Sequence, residues 1–273
     1  MDPAVSLKYD ALRERIARLD SVLVAYSGGV DSTLLAFVAR EILGEHMLAV
    51  LVVSEIYPRT ETESARRTAR ELGLDLLEVE TDALDSPAFA TNPPDRCYHC
   101  KHEVFGLLRD VARSRGLAVV ADGSNFDDLA DHRPGRRAAL ELGVVSPLQD
   151  AGLTKDDIRA ISRDLGLPTA DKPSMACLAS RFPYGSTIGR AGLTRVATAE
   201  DGVRALGIRQ FRVRSHGDVA RLEVEPREMD RAWALRRELS AALRSAGFAY
   251  ATLDLDGYRT GSLNETLADE ERV

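Results

Sequence analysis

The chain has 273 residues, 44% hydrophobic and 29% charged, with 36 lysines and arginines against 43 aspartates and glutamates for a net charge of −7. That length accommodates one large α/β domain plus a smaller one, and the acidic balance gives no overall field to attract nucleic acid. No apolar run approaches a membrane span, the N-terminus lacks the apolar core of a secretion signal, and an odd count of three cysteines argues against a disulfide scaffold, so a cytoplasmic protein is expected.

Apolar positions at Val5, Leu12, Ile16 and Leu19 predict a helix leading into a strand over 22–25. Ser27-Gly-Gly-Val-Asp-Ser32 follows, and then a helix over 32–43 that buries Leu34, Leu35, Phe37 and Val38 and is stopped by Gly44. Strand, tight turn and helix in that order make an anion site. Gly28 and Gly29 let the backbone come close to a ligand, while Ser27, Ser32 and the free amides of the first helical turn face it. A Walker loop is excluded, because Val30-Asp31 stands where its Lys-Ser/Thr pair belongs.

The run 48–53 is continuously apolar, as in a strand covered on both faces. A charged helix over 60–72 closes at Gly73, a strand covers 74–79, and another over 117–121 ends in Asp122-Gly-Ser-Asn125. Alternation on this scale predicts a parallel sheet with helices on both faces, whose ligands gather at the C-terminal ends of the strands. The glycine loop and Asp122-Gly123 therefore belong to one site. Ser146-Pro-Leu-Gln149 reads as one more short strand end, and Thr154 opens a capped helix to Leu165. Residues 168–193, rich in Pro, Gly, Ser and Thr, cross into a small C-terminal α+β domain, giving expected domains of 1–185 and 186–273. There, helices over 194–206 and 227–246 flank a hairpin of 211–214 with 219–225, and a strand covers 250–254. One hairpin register places Phe211, Val213, Ala220, Leu222 and Val224 on one face and Arg212, Arg214, Arg221 and Glu223 on the other.

Cys97-Tyr-His-Cys100 and the distant Cys177 suit a three-thiolate iron-sulfur cluster, a zinc site completed by His99 or His102, a redox dithiol, or inert thiols. Arg212 and Arg214, two apart on a strand, can grip a phosphate or simply pair with Glu223 and Glu225. Lys101 can steady phosphates or be merely solvated. Asp128, Arg133, Arg136 and Arg137 form a polar segment that either covers substrate or is a solvated charge run. Trp233 with Leu235, Leu239, Ala242 and Leu243 reads as helix packing or a subunit interface.

Ser27-Gly-Gly-Val-Asp-Ser32 resembles the loop of the PP-loop ATP pyrophosphatases, which have the adenine nucleotide alpha hydrolase-like fold. The resemblance implies that ATP binds with its pyrophosphate on Ser27, Gly28, Gly29 and Ser32, with Asp122 and Gly123 nearby. It also implies that Asp31 positions Mg2+ and that the strand over 48–53 ends against adenine. Asp122-Gly-Ser-Asn125, His132-Arg-Pro-Gly-Arg136, Lys172-Pro-Ser-Met-Ala-Cys-Leu-Ala-Ser-Arg-Phe-Pro-Tyr-Gly185, Arg212-Val-Arg214 and Thr252-Leu-Asp-Leu-Asp-Gly-Tyr-Arg-Thr-Gly-Ser-Leu-Asn264 together resemble the LarE family of ATP-dependent sulfur transferases.

LarE-like enzymes adenylate a carboxylate of pyridinium-3,5-biscarboxylic acid mononucleotide and replace its oxygen by sulfur, toward the nickel cofactor of lactate racemase. AMP is the good leaving group that this requires. Three cysteines resemble the branch in which Cys97, Cys100 and Cys177 would hold a 4Fe-4S cluster carrying the donor sulfide. The single-cysteine pattern would instead consume Cys177. By the same resemblance Arg212 and Arg214 would bind the mononucleotide phosphate, Lys101, Ser180, Arg181, Glu200 and Asp230 would line the site, and the protein would be a homo-oligomer, with a hexamer as one form. A tRNA thiolase, against which the acidic balance weighs, and a non-catalytic ATP-binding regulator are the competing readings.

Overall fold

A computed structural model describes residues 2–129, 134–259 and 261–266; Arg133, expected in the polar segment, and His132 lie outside the described residues. The chain forms two compact units, Met1–Thr81 with Asp95–Met175, and Asp82–Pro94 with Ala176–Val273.

The first unit begins with α1 (Pro3–Ala17), β1 (Val22–Tyr26), α2 (Val30–Leu43), β2 (Met47–Val53), α3 (Arg59–Glu71) and β3 (Leu76–Glu80). Residues 82–94, with α4 (Pro87–Ala90), belong to the second unit. The first resumes with α5 (Arg96–Ser114), β4 (Val119–Ala121), α6 (Gly135–Glu141), α7 (Pro147–Asp150) and α8 (Lys155–Asp164). Its sheet has the order β3-β2-β1-β4 and is wholly parallel, with Val22 opposite both Met47 and Val119. Side chains alternate across it. Val22, Val24 and Tyr26 join Leu12, Leu34, Leu35 and Val38 on one face, while Leu23, Leu48 and Val50 meet Phe105 and Leu108 of α5 on the other. Helices thus cover both faces, as the apolar runs predict.

Residues 146–149 are not a strand end. Pro147, with its fixed φ and no N–H, starts the helical turn α7, and the sheet is instead continued by a single parallel bridge between Ala121 and Val145. The capping box at Thr154 is present: its side chain accepts from Asp157 N, and Asp157 accepts from the Thr154 N–H.

The second unit contains α4, α9 (Arg190–Ala205), β5 (Phe211–His216), β6 (Val219–Val224), α10 (Met229–Ala234), α11 (Arg236–Ser245) and β7 (Tyr250–Leu253). β5 and β6 form the predicted hairpin in the predicted register, with Val213 opposite Leu222 and Arg212 opposite Glu223, and β7 adds in parallel to β6. The single helix expected over 227–246 is two, interrupted at Leu235, although neither proline nor glycine marks that position.

The unit boundary differs from the expected 1–185 and 186–273, because hydrogen bonds stitch 82–94 to 182–188. Buried Asn92, at φ 57°, donates from Nδ2 to the Pro183 carbonyl at 2.7 Å. Gly185 N donates to the Asn92 carbonyl and Ile188 N to that of Ala90, both at 2.8 Å. No composition signal announces such a pairing across ninety residues of sequence.

Candidate functional site

β1 delivers its last buried residue, Tyr26, and then the loop. Gly28 has φ +69°, and a Cβ there would stand 2.5 Å from Ala65 Cβ, so the turn lies directly on α3 with no room for a side chain. The Ser27 and Ser32 hydroxyls are 3.0 Å apart, and Ser32 Oγ accepts from the Ser27 amide at 3.1 Å. Gly29 caps α2 without a side-chain hydrogen bond, leaving the first turn of that helix open to an anion. Gly123, after β4, also packs tightly, though less so: a Cβ on it would be 3.0 Å from the Ser32 amide nitrogen. Ser27, Gly28, Gly29, Asp31, Ser32, Asp122 and Gly123 are therefore gathered at the C-terminal ends of neighbouring parallel strands β1 and β4.

Around this loop the charges are ordered. Asp31 accepts from Lys155 Nζ at 2.5 Å and from Asn125 Nδ2 at 3.4 Å. Buried Asp122 accepts from the hydroxyls of Ser124 at 2.6 Å and Ser146 at 2.7 Å, and Lys101 Nζ is 3.9 Å from it. Lys101 runs past Gly135, where a Cβ would be 2.4 Å from its Cδ. Burial pushes the Tyr26 phenol up to about 12, so it stays protonated and donates to the Ala65 carbonyl at 3.1 Å. Lys172 Nζ donates to the Gly28 carbonyl at 3.0 Å. Sequence reasoning missed Lys155 and Lys172 as site residues. Lys155 is signalled only by following the cap Thr154, and Lys172 by opening a family-like segment.

Cys97 and Cys100 lie three apart at the start of α5, the former exposed and the latter half-buried, and none of the three cysteines is in a disulfide. Tyr98 between them donates to Glu141 at 2.8 Å beneath the Arg137 guanidinium, so Arg137 has a packing role; Asp128 is likewise tied locally, accepting from Asn125 N at 3.0 Å. Cys177 belongs to the second unit. Among the described residues no group of three or more His, Cys, Asp or Glu side chains is arranged to hold a metal ion.

In the second unit a 3-10 turn over Leu178–Arg181 follows Cys177. Arg181, fully buried, forms a two-pronged pair with Glu200 of α9 at 2.7 and 2.9 Å and donates to the carbonyls of Ala176 and Cys177 at 3.0 and 3.1 Å. Ser180 Oγ donates to the same Cys177 carbonyl at 2.8 Å. Glu200 also accepts from the Val213 amide at 3.1 Å, which fastens α9 to β5. Arg214 donates to the Ser180 carbonyl at 2.6 Å, to Glu223 at 2.9 Å and to Ser262 at 2.8 Å.

The plain cross-strand pairing thus holds for Arg214. Arg212, also buried, donates to the Phe211 carbonyl and lies 5.1 Å from the centre of the Tyr258 ring. Its burial, reinforced by the positive charge of Arg181, draws its pKa down to about 10. Cys177, Ser180, Arg181, Glu200, Arg212 and Arg214 are brought into one neighbourhood. Asp230 is exposed on α10 and takes no part in the network just described.

Two substitutions check this geometry. Arg181→Met leaves Glu200 buried without its partner and is expected to cost about 3–5 kcal/mol of stability in urea unfolding. Gly28→Ala, with a Cβ forced against Ala65, is expected to abolish nucleotide binding in a titration calorimeter.

The model of the NAD synthase family matches residues 6–115, which contain the loop. The chain is 43% identical over 262 residues to an uncharacterized protein of Synechocystis sp., covering 95% of this chain and 98% of the relative. It is 38% identical over 250 residues to the pyridinium-3,5-bisthiocarboxylic acid mononucleotide synthase of Lactiplantibacillus plantarum, covering 91% of each. A glutamine-hydrolyzing GMP synthase of Chlamydia caviae is 25% identical over 195 residues, 64% of this chain and 36% of that one. The last match is confined to part of each protein, whereas the synthase match includes the loop, the Cys177 segment and the arginine strand; the chain belongs to the LarE family of ATP-dependent sulfur transferases within the PP-loop superfamily.

Proposed function

We propose that this protein converts a carboxylate of pyridinium-3,5-biscarboxylic acid mononucleotide into a thiocarboxylate at the expense of ATP. The observation carrying this reading is the 38% identity to the Lactiplantibacillus plantarum synthase over 91% of both chains. The anion-ready loop supports it. ATP lies with its pyrophosphate over the amides of Gly28 and Gly29 and the hydroxyls of Ser27 and Ser32, near Asp122 and Gly123.

A substrate carboxylate oxygen attacks the α-phosphorus. The new O–P bond replaces the bond to pyrophosphate, and the carboxyl becomes an acyl adenylate. Lys155 and Lys101 are the cations available to offset the growing charge on the departing pyrophosphate. Asp31, an oxygen donor beside the Asn125 amide, has the chemistry to hold a magnesium ion on the phosphates.

Cys97, Cys100 and Cys177 are the proposed thiolate ligands of a 4Fe-4S cluster, and three cysteines outside any disulfide are a donor set such a cluster takes. A cluster held by these three thiolates would offer sulfide as the nucleophile for the acyl adenylate, with AMP as the leaving group. Arg212 is the proposed partner of the mononucleotide phosphate, since a phosphate dianion would offset the burial that now depresses its pKa. Arg214 orients the Ser180 backbone, and Arg181 with Glu200 holds the carbonyl of Cys177. Asp230, exposed on α10, is a weaker proposed substrate contact. A cytoplasmic homo-oligomer is the proposed working form.

Anaerobic incubation with ATP, magnesium and the mononucleotide, followed by mass spectrometry of acceptor and protein, tests the reading. AMP, pyrophosphate and an acceptor with sulfur in place of oxygen are expected, from protein carrying iron and labile sulfide. An unchanged acceptor refutes the assignment, and loss of one hydrogen sulfide from Cys177 without iron replaces the cluster by a consumed cysteine. Arg212→Ala is expected to raise the KM for the mononucleotide about tenfold in steady-state assays, with the KM for ATP little changed.

A further inference from the structure

The loop contains no lysine, yet a half-buried ammonium serves it from elsewhere in the chain. Lys172 Nζ donates to the Gly28 carbonyl at 3.0 Å, pairs with Glu61 at 2.8 Å and lies 3.4 Å from Ser64 Oγ, with its side chain 15% exposed. Glu61 and Ser64 stand with Ala65 on one face of α3, the face on which Gly28 rests. The backbone of Lys172 is itself held. Arg159 of α8 donates to the carbonyls of Ala170 at 2.7 Å and Lys172 at 2.8 Å, one turn beyond the Lys155 that engages Asp31.

We infer that Lys172 is a positioning residue for pyrophosphate: by holding the Gly28 carbonyl against α3 it turns the Gly29 N–H to the opposite side, where Ser27 Oγ now accepts it at 3.4 Å and where the anion would be received. The reasoning rests on the planarity of the peptide unit. In a trans peptide the C=O and the following N–H point in opposite directions, so fixing the Gly28 oxygen fixes the Gly29 hydrogen. A Gly-Gly peptide is the least hindered of all against reorientation, and Gly28 already occupies positive φ.

Without an outside hold the amide would have to be ordered by each incoming nucleotide, at a cost to affinity. The hold also polarises the same amide, because a charged donor on a carbonyl strengthens the N–H of that peptide. The three hydrogens of the ammonium match the three acceptors Gly28 O, Glu61 and Ser64, so the residue acts through the backbone rather than on phosphate.

The inference rests on the ATP reading above, and the test separates the two. Wild-type protein and the variants Lys172→Met, Ser27→Ala and the double substitution are first shown to fold by thermal melting. They are then titrated with pyrophosphate, ATP and AMP. Lys172→Met is expected to bind pyrophosphate and ATP about tenfold more weakly while AMP affinity is unchanged. Because Ser27 Oγ accepts from the Gly29 amide at 3.4 Å, the two substitutions act on one peptide, and their effects on pyrophosphate are expected to be non-additive.

Equal weakening for all three ligands, weakening for none, or strict additivity overturns the positioning role. Should the methionine variant fail to fold, Lys172→Gln carries the same comparison. Wild-type protein that neither binds ATP nor releases pyrophosphate refutes the ATP reading instead.

Discussion

The nucleotide end of this protein depends on one steric fact: the backbone at Gly28 passes so close to Ala65 of α3 that no side chain fits between them. Buried β1 aims the chain at that point, and α2 starts within two residues of it. The amides of the turn are therefore presented as a group, and the partial positive charge of the helix start lies in the same place. Gly123 repeats the solution one strand over, against the Ser32 amide. Parallel pairing of β1 with β4 makes the two approaches coincide, since parallel strands end on the same side.

Charge in the second unit follows a different rule. Arg181, Glu200, Arg212, Arg214 and Glu223 are all buried, and a buried charge is costly unless an opposite charge offsets it. Arg181 with Glu200 and Arg214 with Glu223 meet that demand as pairs, and both arginines spend remaining donors on backbone carbonyls beside Cys177. Ordering of the short turn over 178–181 is the consequence. A reactive or ligating cysteine benefits from such a fixed backbone because its sulfur then has few rotamers left to choose from.

Family membership gives these separate pieces a common chemistry. Adenylation needs a site for departing pyrophosphate, and sulfur insertion needs thiols and a grip on an anionic acceptor. The loop suits the first need, and the three cysteines and the buried arginine strand are the proposed equipment for the second. The GMP synthase relative shares identity over only part of each chain, in keeping with a common loop domain serving different acceptors.

Much of this was legible in the sequence, because the features concerned are local. The Ser-Gly-Gly-Val-Asp-Ser turn, the capping box at Thr154, the alternating hairpin and the apolar strands each depend on residues a few positions apart, and periodicity or cap chemistry suffices to read them. Where the pattern misled, a local exception was at work, as with Pro147 turning an expected strand end into a helical turn. Tertiary structure alone decided the pairing of Lys155 with Asp31, the hold of Lys172 on Gly28, the hold of Arg214 on the Ser180 carbonyl, and the stitching of Asn92 to Pro183. These contacts join residues tens to more than a hundred positions apart, so which lysine finds which carboxylate is settled only when the strands have taken their order and brought the loops together.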